Sequence, residues 1–265
     1  FGYTGASPAL MGYCAERNIS LTFLTMNGRF LARVVGQSQG NVVLRKKQYR
    51  ISEDERLSAK IASNFIVGKI YNQKWMIERM TRDYPLRIDV DRFKEASAQL
   101  SAILSDARSC EDLERLRGFE GQAAVCYNKL FDHMILQQKE DFVFRSRSRR
   151  PPLDNVNAML SLSYTLLAHD MASALEGVGL DAYVGFMHRD RPGRVSLALD
   201  LMEELRSIYA DKFVLSLINK RIVGKDDFLK KENGAVIMKD EARKTFLTAW
   251  QNRKQEKIVH PYLGE

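Results

Sequence analysis

The chain has 265 residues, of which 45% are hydrophobic and 28% are charged, and its 41 basic and 33 acidic side chains give a formal net charge of +8. No apolar run reaches the roughly 18 residues that span a bilayer and no signal peptide opens the sequence, so we expect neither a membrane-spanning nor a secreted protein. The positive charge favours polyanions as partners. Three widely spaced cysteines without a zinc-site pattern predict free thiols in a reducing cytoplasm. The few glycines and prolines, 16 and 6, predict long helices.

The first 40 residues have the pattern of β structure. The runs Ile19–Leu24 and Arg29–Val35 are rich in β-branched and aromatic residues, and Asn27-Gly28 between them suits a tight turn with positive φ. We therefore predict a hairpin here. Two strands alone do not make a stable sheet, and the chain begins at Phe1 rather than at Met. We expect residues 1–40 to be a partial small β-domain whose upstream strands are missing.

From residue 41 onward the sequence predicts helices. Ser52 and Glu55 have the spacing of a capping box, in which the two side chains bond free amides at a helix start. Apolar residues at helical spacing continue from there to Pro85. Further helices are expected after Asp91 and from about Asp112, the latter with a kink at its two glycines.

The next helix is predicted to be the buried centre of this region. Phe142–Arg150 is basic and lacks helical periodicity, and it ends at Pro151, which cannot continue a helix. Asp154 is placed to cap the helix that follows. Because residues 155–168 carry no charge, this helix is expected to be surrounded by protein until Gly177 ends it.

The last third of the chain returns to amphipathic patterns. A loop that carries His188 leads into a helix over Ser196–Tyr209, Asn233-Gly234 predicts a short hairpin, and Asp240–Lys257 predicts a final basic helix. The predicted fold class is therefore mainly α, with the partial β-domain over residues 1–40 and a helical domain over residues 41–265.

Four residues have the chemistry of a divalent metal site. Asp200 and Glu203 are three apart on one predicted helix, so their carboxylates can face one point, and His188 precedes them in a loop. Glu120 lies in the sequence Gly-Phe-Glu-Gly, which allows close backbone approach. Hard oxygen ligands with one imidazole suit a divalent cation. The residues alone leave open a solvated acidic face paired with Arg206, and a flexible helix joint at the glycines.

Basic residues supply a candidate nucleic-acid surface. Arg145, Arg147, Arg149 and Arg150 alternate along the segment before the paired prolines, and Arg189 lies in the histidine loop. Arginine binds phosphate bidentately and stacks on bases, so these residues are predicted DNA contacts. A solvated basic loop is the alternative.

Five segments together resemble the CRISPR adaptation integrase, the universal CRISPR-associated endonuclease family. They are Gly40–Tyr49, Gly118–Gly121, Pro151–Leu167, Gly179–His188 and Ser196–Arg206. The five segments are spread over nearly the whole chain, and their residues are closest to those of a type I system of the C subtype.

The resemblance implies that the helical domain is catalytic and that Glu120, His188 and Glu203 bind Mg²⁺ or Mn²⁺, with Asp200 a functional position beside the metal. It implies an endonuclease and integrase that cuts and joins DNA strands to insert spacers. It also implies a homodimer, two of which join a small ferredoxin-like CRISPR-associated partner protein. A non-catalytic helical DNA-binding scaffold and an RNA-directed module are the alternatives.

Overall fold

The computed structural model describes residues 2, 4–17, 19–25, 30–37 and 42–257. The α-helices are α1 (Pro8–Glu16), α2 (Val42–Ser52), α3 (Glu55–Asp83), α4 (Val90–Arg108), α5 (Leu113–Phe131), α6 (Asn155–Gly177), α7 (Ser196–Leu205), α8 (Lys212–Asn219) and α9 (Asp240–Lys254). The strands are β1 (Leu21–Leu24), β2 (Phe30–Val34), β3 (Phe228–Lys230) and β4 (Val236–Met238). A π-helical segment, Arg206–Asp211, joins α7 to α8. The predicted mainly α fold class with a small β region is confirmed.

Both predicted hairpins form, and a helix that the sequence analysis missed precedes the first of them. β1 pairs with β2 and β3 pairs with β4, each antiparallel. Gly234 takes a φ of +79° in the second turn, whereas the predicted Asn27-Gly28 turn lies outside the described residues. The missed helix α1 begins after Ser7, whose side chain accepts a hydrogen bond from the Leu10 amide, and Pro8 occupies its first turn. The first 40 residues are therefore not wholly β.

Aspartates, rather than the predicted capping box, start the long helices. Asp54, Asp89, Asp112 and Asp154 cap α3, α4, α5 and α6, each accepting a hydrogen bond from an amide three residues ahead. The Asp154 cap is thus confirmed, and the capping box at Ser52 is wrong. Ser52 is the last residue of α2, and its hydroxyl donates to the Tyr49 carbonyl at 2.8 Å. Both glycines at which a kink in α5 was predicted lie within that helix, which continues without a break from Leu113 to Phe131.

Helix α3 lies at the centre and packs against α4, α5 and α7. Its inner face carries Ile66, Ile70 and Ile77, all fully buried. α6 contacts α7 and the π-helical segment, and the first part of α6 is buried as predicted, with Val156 and Met159 fully covered. This arrangement brings one face each of α3, α5 and α7 to a common point.

The N-terminal hairpin packs on the second half of α6. Arg33 of β2 forms an ion pair with Glu176, and the Phe30 ring stacks on His169 with ring centroids 5.5 Å apart. Among the described residues, the helices are too short or too polar to cross a lipid bilayer.

Candidate active site

Two of the predicted metal ligands meet at a lysine that the sequence analysis did not single out. Lys69 of α3 donates from Nζ to Oε2 of Glu203 on α7 at 2.6 Å and to Oε1 of Glu120 on α5. Lys69 is 2% exposed and Glu203 is 3% exposed, so this ion pair is shielded from water. Arg206 binds the other oxygen of Glu203, with NH2 2.5 Å from Oε1. Burial by itself raises the pKa of Glu203, but Arg206 and Lys69 outweigh it and hold that pKa below its ordinary value.

The alternative of a solvated acidic face on α7 is wrong. Asp200 is fully buried, and Glu203 is nearly so. The spacing predicted that the two carboxylates face one point, and this prediction is wrong. Glu203 faces Lys69, whereas Asp200 is enclosed by the loop that precedes its helix.

Asp200 holds the histidine loop through both carboxylate oxygens. Oδ2 accepts the amides of Phe186 and Met187 at 2.7 and 2.9 Å, and Oδ1 accepts the His188 amide at 2.9 Å. Successive amides that converge on one carboxylate form a nest. Gly185 makes this close wrapping possible, because a Cβ there would lie 2.9 Å from Oδ2 of Asp200.

The His188 ring is oriented by the same carboxylate. Its Nδ1 lies 2.5 Å from Oδ1 of Asp200, within a hydrogen bond. With a carboxylate oxygen as its partner, Nδ1 is the donor, so the lone pair of the neutral imidazole is on Nε2. His188 and Glu120 line one open cavity of about 430 Å³, and Arg117, Arg189, Arg191 and Arg194 line the same cavity.

Arg117 ties the histidine loop to the helix that carries Glu120. Its guanidinium donates to the Met187 carbonyl through both Nε, at 3.0 Å, and NH2. Glu114, one turn before it on α5, accepts from Arg117 and from the exposed Arg189, the latter at 2.8 Å. These contacts therefore fasten the loop to α5.

Lys69 and Arg117 are the site residues that sequence reasoning missed. The signal for Lys69 was a charged side chain inside the apolar run 66–70 of a long helix, since a lysine is rarely buried there unless it has a partner. Nothing in the spacing around Arg117 distinguished it from a surface arginine.

The donor set fits a hard divalent cation. It comprises two carboxylates, which already share one positively charged partner, and an imidazole whose Nε2 is available on a neighbouring wall. Across the described part of the chain, however, no three His, Cys, Asp or Glu side chains are arranged as a ready metal cluster. The Lys69 ammonium lies between the two carboxylates.

The predicted arginine track is interrupted at Arg147. Its guanidinium turns inward, where NH1 donates to Oδ1 of Asn157 at 2.6 Å and NH2 to Oγ of Ser161 at 3.0 Å. It also lies over the Tyr164 ring, 5.1 Å from the centroid. Burial lowers the pKa of Arg147. This residue fastens the segment to α6, so its prediction as a DNA contact is corrected. The exposed members of the set are Arg145, Arg149, Arg150 and Arg189.

Comparison with known proteins identifies the family. The family profile described as CRISPR associated protein Cas1 matches residues 1–252. The chain belongs to the Cas1 family. It is 48% identical over 265 residues to CRISPR-associated endonuclease Cas1 1 of Chlorobaculum tepidum, covering 100% of this chain and 77% of that protein. It is 49% identical over 269 residues to CRISPR-associated endonuclease Cas1 2 of Rhodospirillum rubrum, again covering 100% and 77%.

A solved structure shares the Cas1 fold of this chain. A casposase bound to an integration product is similar with a TM-score of 0.77 and 27% identity, over 94% of this chain and 67% of that one. In this Cas1 chain, three of the five segments that carried the family resemblance contribute to the site. Gly118–Gly121 is part of α5, Gly179–His188 is the loop held by Asp200, and Ser196–Arg206 includes α7.

Proposed function

We propose that this Cas1 chain is a divalent-metal-dependent DNA endonuclease and integrase, which cuts and joins strands to insert spacers in CRISPR adaptation. The observation that carries the proposal is the meeting of Glu120 and Glu203 at one buried cationic nitrogen, beside a cavity that His188 also lines. The relatives named endonucleases and the casposase with its integration product support this chemistry.

Glu120, Glu203 and Nε2 of His188 are the groups that would hold the ion, Mg²⁺ or Mn²⁺. The imidazole shifts the preference towards Mn²⁺ without excluding Mg²⁺. When bound, such an ion neutralises the scissile phosphate and activates a water or a DNA 3′-hydroxyl as the nucleophile. Arg206 keeps Glu203 ionised by holding its Oε1, so the carboxylate is ready to bind a cation.

Asp200 is a positioning residue in this proposal. It is too enclosed to reach the reacting groups, since its four bonds all go to residues 186–188. Its effect is to fix the His188 tautomer and the direction in which Nε2 faces. A hydrogen-bonded carboxylate behind a ligating histidine raises the basicity of the ligand nitrogen.

Exposed arginines would position DNA through its phosphates. Arg189, Arg191 and Arg194 lie at the cavity that contains Glu120, and Arg145, Arg149 and Arg150 are exposed on the segment before α6. Phosphate contacts give affinity with little sequence preference. The remaining assignments rest on the family resemblance: a homodimer, a small ferredoxin-like CRISPR-associated partner protein and a type I C subtype. With its three free cysteines, the chain suits the reducing cytoplasm.

The test compares substitutions in the site with a control just before the same helix. Glu120→Gln and His188→Ala should abolish both cleavage and strand joining of labelled donor ends with a supercoiled target in Mn²⁺, while duplex affinity stays largely intact. Glu111→Gln removes an exposed carboxylate that pairs with Arg56 outside the cavity and should retain both activities. Wild-type rates of joining by Glu120→Gln would refute the catalytic assignment. Duplex binding without metal-dependent turnover would favour the scaffold, and preferential binding of RNA the RNA-directed module.

A further inference from the structure

Lys69 is a buried lysine that is held by two ion pairs. It is 2% exposed in the apolar stretch of α3, between the fully buried Ile66 and Ile70. Burial of an ammonium is costly unless the charge is paired. Lys69 meets this requirement with two carboxylates from two other helices, Glu120 and Glu203.

The same two carboxylates need a cation between them. Both lie within hydrogen-bond reach of one buried nitrogen, so without a positive charge there the two carboxylates would repel each other. Arg206 binds the far oxygen of Glu203 and leaves the shared position to Lys69. An ammonium and a divalent ion cannot both occupy that position, because like charges at contact distance in a buried site repel strongly.

We propose that Lys69 is an internal counter-ion that competes with the divalent metal for Glu120 and Glu203. This inference rests on the proposed function, since it takes these two glutamates as metal ligands. In the metal-free chain the ammonium holds α3, α5 and α7 together. When the ion binds, the ammonium leaves the carboxylate pair. Lys69 thereby lowers the affinity of the site for metal while keeping the empty site folded.

The first test measures Mn²⁺ binding to the chain without DNA, from the electron paramagnetic resonance signal of free Mn²⁺. Lys69→Met keeps the length of the side chain and removes its charge. It should bind Mn²⁺ at least about tenfold more tightly, because the two charge-assisted hydrogen bonds of Lys69 to the ligands no longer have to be broken. Its melting temperature should fall in EDTA and recover with Mn²⁺ by more than that of the wild type.

The matched control is Lys74→Met in the same helix. Lys74 forms an ion pair with Glu78 at 2.7 Å on the outer side of α3, away from the site. The Lys74→Met substitution therefore removes a lysine charge and a salt bridge from α3, as Lys69→Met does. We expect its Mn²⁺ affinity and its response to Mn²⁺ to match the wild type. Unchanged or weaker Mn²⁺ binding by Lys69→Met would overturn the inference.

A second measurement uses the wild-type chain and does not depend on the folding of a variant. Acetic anhydride labelling read by mass spectrometry reports which lysine amines are accessible. Lys69 should be protected in EDTA and should become reactive on addition of Mg²⁺ at saturating concentration, with Lys74 unchanged. Continued protection of Lys69 under saturating Mg²⁺ would show that the ammonium stays in place, against the proposal.

The two proposals fail in different ways. If Glu120→Gln binds Mn²⁺ as the wild type does and retains turnover, the metal ligands are wrong and the proposed function fails. If Glu120→Gln loses Mn²⁺ binding but Lys69→Met gains none, the ligands are right and only the competition by Lys69 is refuted.

Discussion

Replacing Asp200 with Asn tests whether the histidine loop depends on a carboxylate that touches no substrate. The change keeps the size of the side chain and removes one acceptor. In the native chain each oxygen accepts two bonds, Oδ2 from the Phe186 and Met187 amides and Oδ1 from the amide and ring of His188. In Asp200→Asn, either orientation of the amide group points an NH₂ donor at one of these pairs of donors.

The magnitude follows from the number of donors left without an acceptor. Two buried donors without a partner cost about 1–3 kcal/mol each, which gives about 2–6 kcal/mol in total. The alternative is a change of His188 tautomer, in which Nδ1 accepts from the new NH₂ group. That tautomer places the ring proton on Nε2 and removes the lone pair from the proposed ligand nitrogen. Loss of such a partner behind a ligating histidine typically costs 10–100-fold in metal affinity.

The assay combines urea unfolding, Mn²⁺ binding and hydrogen exchange of the amides of residues 186–188. Asp200→Asn should unfold at lower urea, bind Mn²⁺ about 10–100-fold more weakly and lose protection at these three amides. Asp190→Asn is the control, since Asp190 is exposed in the same loop. Wild-type stability together with wild-type Mn²⁺ affinity in Asp200→Asn would refute the reasoning.

Three further predictions concern other parts of the chain. Arg149→Ala should weaken duplex binding equally across sequences and reduce the salt slope by about 0.9, whereas Arg147→Ala should cost about 1–3 kcal/mol of stability in urea unfolding and leave that slope unchanged. Gly118→Ala should raise stability by about 0.5–1 kcal/mol, because a Cβ there meets no atom within 4 Å; a loss would show hidden crowding. Burial raises the pKa of Asp211 from 3.8 to about 6, so the folded chain prefers the neutral acid. The stability that the neutral acid gives to the folded chain is fully present below about pH 4 and is lost as the pH rises to about 6. Relative to Asp211→Asn, the wild type should lose about 2 kcal/mol between pH 4 and 6.5 in urea unfolding; parallel pH profiles would contradict this.

Sequence patterns predicted those parts of the fold that local chemistry determines. Asp154 caps its helix and Gly234 takes a positive φ because both features need only a few neighbouring residues. The Ser52 error shows the limit of the same rule. Ser52 and Asp54 both suit a cap, and a choice between them depends on where α2 ends, which its packing decides rather than its residue types. α1 was missed although Ser7 and Pro8 carry a helix-start signal, because the strong strand pattern that follows dominated the interpretation.

The candidate site was likewise predictable from the sequence only in part. The spacing of Asp200 and Glu203 on one helix identified them as candidates, but it also predicted that their carboxylates face one point. In the structure they face different partners, since a loop from outside the helix encloses Asp200. Glu120 and His188 were candidates from their residue types and surroundings, and the family resemblance implied that they are metal ligands. Lys69 could not be found in either way, because its role depends on three helices converging, which no local pattern encodes.

The π-helical segment after α7 explains why Arg206 can reach both Glu203 and the core. Its i→i+5 hydrogen bonding places residues five apart nearly above one another, whereas an α-helix would turn them apart. Arg206 and Asp211, its two ends, therefore both face Tyr164. The guanidinium of Arg206 lies 4.8 Å from the ring centroid of Tyr164, and the hydroxyl of Tyr164 donates to Oδ1 of Asp211 at 2.5 Å. A regular helix would preserve the bond between Arg206 and Glu203, three residues apart, but would lose the ring contact or the Asp211 contact. The irregular segment thus lets one buried arginine hold Glu203 ionised at the site while its own charge is balanced from the core.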